Sequence, residues 1–169
     1  MKDPFRSLKN AFARYPTGVT VVSCLPPGKP AVAITVNSFT SLSLDPSLVL
    51  WCLADATSVF SAFEASSCYA VSILSADQAA LSTRFATPGQ HGFADGEGEA
   101  KVTGAPLIRG RLAGFDCEVE QRIAVGDHVI MVGRVVHFDS RDGAPLIYSG
   151  REYMEGPVIS DPAPTDAGH

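Results

Sequence analysis

The sequence predicts a mainly β protein: one closed or nearly closed antiparallel barrel of six to seven strands, with a few short helices packed against it. Three observations predict it. β-Branched and apolar runs recur between Gly/Pro turns, the stretch from Phe115 to Phe138 reads as one long hairpin, and helical segments alternate with strands too irregularly for βαβ units.

The elements follow in order. Phe5, Leu8, Phe12 and Tyr15 recur at helical spacing, so residues 4–14 form an amphipathic helix that Pro16 stops. Thr17 to Ser23 is rich in β-branched residues and runs into Pro26-Pro27-Gly28; Ala31 to Val36 resumes as a second strand, making a hairpin. Leu48 to Leu53 is a continuous apolar run, the pattern of a strand buried on both faces. Val59, Phe60 and Phe63 recur at helical spacing behind Thr57-Ser58, either of which is a candidate cap. Tyr69 to Leu74 is another strand, and Ser75-Ala76-Asp77-Gln78 is a capping box that opens a helix reaching Arg84 or Phe85. Residues 87–104, with Gly89, Gly92, Gly96 and Gly98, form a polar loop of a length associated with lids and binding loops. Phe115–Val125 and Val129–Phe138 are strands separated only by Gly126-Asp127-His128, and Pro145 to Tyr148 begins a last strand. Residues 1–156 make one domain, and 157–169 a flexible tail with three prolines.

Composition narrows the function. The 169 residues are 46% hydrophobic and only 18% charged, with a formal net charge of −5. A globular chain averages about 25% charged residues, so part of this surface is expected to be covered by a subunit or a large ligand. Thirteen basic residues against eighteen acidic ones, with no Lys/Arg run, exclude a nucleic-acid footprint. No stretch approaches the ~20 apolar residues of a membrane span, and Met1 to Arg6 does not read as a signal peptide. Cys24, Cys52, Cys68 and Cys117 stand apart in apolar segments with no C-x-x-C pair, which suits a reduced, cytoplasmic protein.

Familiar catalytic signatures are missing. No G-x-G-x-x-G follows a strand, there is no P-loop or G-x-S-x-G elbow, and the four histidines lack metal-ligand spacing, so no metal is expected. With few candidate bases or nucleophiles, the chemistry belongs to a bound cofactor. Two segments stand out. Thr35 to Pro46 crowds hydroxyls, an amide and backbone N–H groups beside Phe39, an inventory that suits a planar hydrogen-bonding ligand or, equally, a wide self-satisfied turn. Gly126-Asp127-His128 is a hairpin turn that also sets an imidazole beside a carboxylate at the start of a strand, where it can meet an anionic ligand.

With Tyr15-Pro16-Thr17-Gly18-Val19-Thr20-Val21-Val22, Ser43-Leu44-Asp45-Pro46-Ser47-Leu48-Val49, Tyr69 to Leu74, Arg84-Phe85-Ala86 and Pro145-Leu146-Ile147-Tyr148, these segments resemble the flavin reductase family over residues 5 to 154. The resemblance implies a Greek-key split barrel that transfers hydride from NADH or NADPH to FMN or FAD. It implies that Thr35, Val36, Asn37 and Ser38 contact the flavin ring, with Ser41, Leu42 and Ser43 nearby. Thr57 and Ser58 match the segment that holds the ribityl phosphate. No Lys or Arg adjoins them, which turns attention to Arg84, with Phe85, for the cofactor. His128 would bind and orient the nicotinamide. Pro145, Tyr148, Arg151 and Tyr153 either line the same site or only pack at an edge. The resemblance further implies a homodimer, and a reductase that supplies reduced flavin to a two-component monooxygenase. The alternatives are an FMN-holding electron-transfer or ferric reductase protein, or a non-catalytic flavin-binding module of the same fold.

Overall fold

The structure is a computed structural model and describes residues 3–160. In chain order the elements are α1 (Arg6–Phe12), β1 (Thr17–Gly18), β2 (Thr20–Cys24), β3 (Val32–Val36), β4 (Thr40–Leu44), β5 (Ser47–Ala54), α2 (Phe60–Ala65) and β6 (Cys68–Ile73). A 3-10 turn (Ala76–Gln78) then leads into α3 (Ala79–Phe85), followed by β7 (Gly98–Ala100), β8 (Pro106–Ile108), β9 (Ala113–Val125), β10 (His128–Ser140), β11 (Leu146–Ser149) and β12 (Glu152–Glu155).

Seven strands form one antiparallel sheet in the order β3-β2-β6-β9-β10-β5-β4. Its two edges, β3 and β4, are neighbours in sequence. Flat, seven strands would hold those edges about 29 Å apart. The step from Val36 to Thr40 can span at most about 14 Å, so the sheet must curl until its edges nearly meet. The expected barrel is therefore present, and residues 37–39 bridge its slit. A three-stranded sheet (β1-β11-β12) and the β7-β8 pair complete the chain.

β2 is buried along its whole length because it serves two cores. Val22 and Cys24 face the barrel interior with Trp51, Phe63, Tyr69 and Met131, while Val19 and Val21 pack outward with Leu74, Phe85, Ile108 and Leu146. Inside the barrel, Trp51 stands edge-on to Phe63 and Tyr69, with ring centroids 5.0 and 5.8 Å away. The Tyr69 hydroxyl donates to the Met131 carbonyl at 3.3 Å. A side chain at Gly133 has no room there, since its Cβ would lie 2.2 Å from the Tyr69 oxygen. All four cysteines are free thiols, and burial pushes the Cys24 thiol up to about 11 and that of Cys117 up to about 12, so neither is a nucleophile near neutral pH.

Several expectations are corrected. The first helix is shorter than residues 4–14 and buries none of its residues; Phe5, Leu8 and Phe12 stay exposed. From Leu48 onward β5 alternates between half-buried and buried positions, so the face carrying Leu48, Leu50 and Cys52 is only partly covered. Neither Thr57 nor Ser58 caps α2, whose N-cap is Val59 without a side-chain bond. The Ser75/Gln78 capping box is present as expected. Four strands are additional to the expectation: β4, β7 inside the polar loop, β8 just after it, and β12. In the expected tail, Ile159 pairs with Gly143; residues 161–169 lie outside the described residues.

Candidate functional site

The slit of the barrel concentrates the polar groups. β3 is an edge strand, so its free edge offers backbone N–H and C=O groups that no neighbouring strand takes up beyond the bridge at Val32. The crossing that follows is held by two side chains. Ser38 Oγ accepts the Cys52 N–H at 3.0 Å and lies 3.4 Å from the Cys52 carbonyl, which pins the loop to the end of β5. Phe39 turns inward and stacks on Phe115 at 5.5 Å. Asn37, just before them, stays exposed, and its amide has no hydrogen-bond partner among the described residues.

His128 reaches the same place from the other side. It opens β10 opposite Ala54 of β5, two residues along from Cys52. The preceding turn holds it there. Gly126, at φ 62°, takes the left-handed conformation that a two-residue hairpin loop needs, and the Asp55 N–H donates to the Asp127 carbonyl at 3.0 Å. His128 Nδ1 lies 2.7 Å from Asp127 Oδ1. That hydrogen bond to the imidazole holds the Asp127 carboxyl below its usual range, so it is ionised at neutral pH and can only accept. Nδ1 therefore carries the proton, and Nε2 is left for a ligand. Val36, Asn37, Ser38, Cys52, Ala54 and His128 line a common cavity of about 240 Å³.

A second cavity of about 200 Å³ adjoins it on the β3 side, lined by Thr35, Val36, Asn37, Ala86, Tyr148 and Tyr153. The two tyrosines are cross-strand partners in the β11–β12 hairpin, with ring centroids 5.5 Å apart. α3 anchors this wall: the Thr35 hydroxyl donates to the Ser82 carbonyl at 2.7 Å, and Ser82 Oγ meets the Tyr153 hydroxyl at 2.8 Å. Of the four residues left open by the sequence, Tyr148 and Tyr153 thus line the site.

The remaining candidates lie elsewhere. Ser41, Leu42 and Ser43 sit on the edge strand β4, where Leu42 is the unpaired residue of a bulge, outside both cavities. Thr57 and Ser58 lie near the far end of β3. There the Ser58 hydroxyl meets His91 Nε2 at 3.1 Å, while His91 Nδ1 bonds the Ala33 carbonyl at 3.0 Å. Arg84 converges on the same stretch: it donates to the Gly92 carbonyl at 2.9 Å, pairs with Glu97 and lies 4.2 Å over the Phe85 ring. Ser58 and Arg84 therefore meet through the His91-Gly92 loop, and Arg84 is already partnered by a carboxylate. Phe85 is fully buried in the outer core, so its ring packs and does not line a cavity; Ala86 beside it does. Motifs alone gave no site role to His91, which bonds Ser58 and Ala33, or to Ala86, which lines the second cavity.

The arrangement fits a flat, partly polar ligand. Val36 and Leu53 offer apolar surface, the tyrosine pair closes one side, and the Asn37 amide and the β3 edge offer hydrogen bonds. The Thr35 and Ser38 hydroxyls in it are tied to backbone groups of α3 and β5.

A family model described as a flavin reductase like domain matches residues 12–157. The chain is 46% identical over 145 residues to an FMN reductase (NADH), SmoA, of Agrobacterium fabrum, covering 86% of this chain and 82% of that protein. Among solved structures it is similar to BorF, the flavin reductase component of a bacterial two-component tryptophan halogenase, with a TM-score of 0.80 and 34% identity over 90% of this chain and 98% of that one. It is also similar to SgcE6, an NADH:FAD oxidoreductase of Streptomyces globisporus C-1027, with a TM-score of 0.82 and 33% identity over 91% and 95%.

Proposed function

The chain belongs to the flavin reductase-like domain family, and on that premise we propose how its cavities divide the work of an NAD(P)H-dependent flavin reductase. The observation that carries the reading is the meeting of Val36, Asn37 and Ser38 with His128 in one cavity, from strands distant in sequence. Bound flavin supplies the acceptor for a hydride from the reduced nicotinamide. The residues of this chain bind and align the two. Thr35 to Ser38 hold the ring, with the β3 edge and Asn37 donating to its polar rim, where charge grows on reduction. Ser38 acts by fixing that loop to Cys52. His128, oriented by Asp127, presents Nε2 to the nicotinamide. Tyr148 and Tyr153 exclude water from the opposite side. Close approach and alignment are what such a transfer requires.

The finer assignments belong to the same proposal. FMN with NADH is the pair carried by the name of the relative SmoA, and FAD is the flavin in that of SgcE6; NADPH is the other possible donor. Ser58 and Arg84 hold the ribityl phosphate through the His91 loop, with Thr57 beside them, and Ser41, Leu42 and Ser43 act from a neighbouring surface. Residues 1–156 form the working domain. Two copies associate, covering the apolar residues that one chain leaves open at the start of α1, along it and on β4, including Phe5, Leu8, Leu42 and Leu44. The protein works in the cytoplasm and releases reduced flavin to a partner monooxygenase. Gel filtration of the protein mixed with FMN, with light scattering, tests the shuttle. The expected result is a particle of twice 17.8 kDa that emerges without flavin; flavin that stays bound through the column would contradict release, and a monomer would contradict the dimer.

A further inference from the structure

A third groove, of about 560 Å³, runs between α1 and the β11–β12 hairpin. Its walls carry Arg6, Lys9 and Arg151 against a single acid, Asp3, in a chain whose formal net charge is −5. Elsewhere Arg84, Arg111 and Arg134 are neutralised by carboxylates. Here the balance is positive. Lys9 Nζ reaches Asp3 at 2.9 Å, but Arg151 donates only to the neutral Asn10 amide, at 2.9 Å, and the Arg6 guanidinium has no partner among the described residues. Arg151 also sits at φ 73°, a left-handed conformation that a residue with a Cβ takes at a cost. Phe12 and Tyr15 supply exposed aromatic faces along the same groove.

The groove is continuous with the site. Asn37 lines it as well as both cavities of the slit, and Tyr148 lines it as well as the β3-side cavity. Its volume is within the range of small-molecule sites, about 300–1,000 Å³. We propose that this groove binds the adenosine diphosphate arm of a dinucleotide whose other end lies in the slit, with Arg6, Lys9 and Arg151 on the diphosphate. The proposal rests on the flavin reductase reading. Guanidinium and ammonium groups recognise phosphate oxygens by charge-assisted hydrogen bonds, and the aromatic faces of Phe12 and Tyr15 suit stacking with a purine. The arm comes either from the nicotinamide dinucleotide or from FAD; FMN has none.

The test is the double variant Arg6→Gln/Lys9→Gln, since both positions are exposed and α1 buries no residue. With FMN as acceptor, KM for NADH is expected to rise about three- to tenfold, the scale of losing two solvent-exposed charge contacts, with kcat within about twofold. KM for FMN stays at the wild-type value. Reduced nicotinamide mononucleotide, which lacks the arm, is turned over equally by variant and wild type. A rise confined to KM for FAD assigns the groove to the flavin's arm and keeps the proposal. Unchanged KM for both NADH and FAD in an active variant overturns it. Failure of the underlying reading looks different: wild-type protein would then show no turnover with FMN at all.

Discussion

Asp116→Ala is expected to lower the stability of the chain by about 2–4 kcal/mol, because each buried donor left without an acceptor costs about 1–3 kcal/mol. Asp116 is fully buried in the middle of the sheet, on β9. One carboxylate oxygen accepts the Val102 and Thr103 N–H groups at 2.7 and 2.9 Å, and the other accepts the Thr103 hydroxyl. Those bonds hold the approach to β8, whose Leu107 and Ile108, with the preceding Ala105, are fully buried. Losing the carboxylate therefore loosens a packed layer as well as three hydrogen bonds. Asp116→Asn retains an acceptor oxygen but turns an NH2 group toward other donors, so an intermediate loss is expected. Urea unfolding checks both; a loss below about 1 kcal/mol for the alanine variant would show that water replaces the carboxylate without cost.

His128→Ala has the largest expected effect on turnover. Leaving one partner of a hydrogen bond unsatisfied costs about 1–3 kcal/mol, so kcat/KM for NADH is expected to fall about five- to a hundredfold. KM for FMN should change little, because the residues proposed to hold the ring are on β3 and the loop after it. The side chain is half-exposed and forms its one side-chain bond with Asp127 in an exposed turn, so the fold should survive its removal. Steady-state kinetics with each substrate varied in turn make the check. Equal kcat/KM for NADH in variant and wild type would remove His128 from the nicotinamide site.

Much of this was legible in the sequence where local chemistry decides the outcome. The β9–β10 hairpin follows from Gly126 taking a left-handed turn position, and the 3-10 turn before α3 follows from the Ser75/Gln78 box. The Thr35–Pro46 stretch stood out because it is too polar for the apolar strands on either side. What was not legible depends on tertiary context. The tip of the β11–β12 hairpin puts both Gly150 and Arg151 at positive φ, and an arginine gives no turn signal there; without that turn, Tyr148 and Tyr153 could not be read as a cross-strand pair. β4 is exposed along most of its length, so no burial pattern marked it. The apolar run of β5 reads the same whether its outer face is covered within the chain or by another copy. Phe85 and Ala86 are adjacent, and only the packing of α3 shows which of them faces the cavity.

The central claim is that the slit aligns a reduced nicotinamide with a flavin. It is tested most directly by following the absorbance of NADH in the presence of the purified protein, with and without added FMN. The account predicts steady oxidation that needs both protein and flavin and that saturates with each substrate. No flavin-dependent oxidation of either NADH or NADPH, with either FMN or FAD, would contradict it.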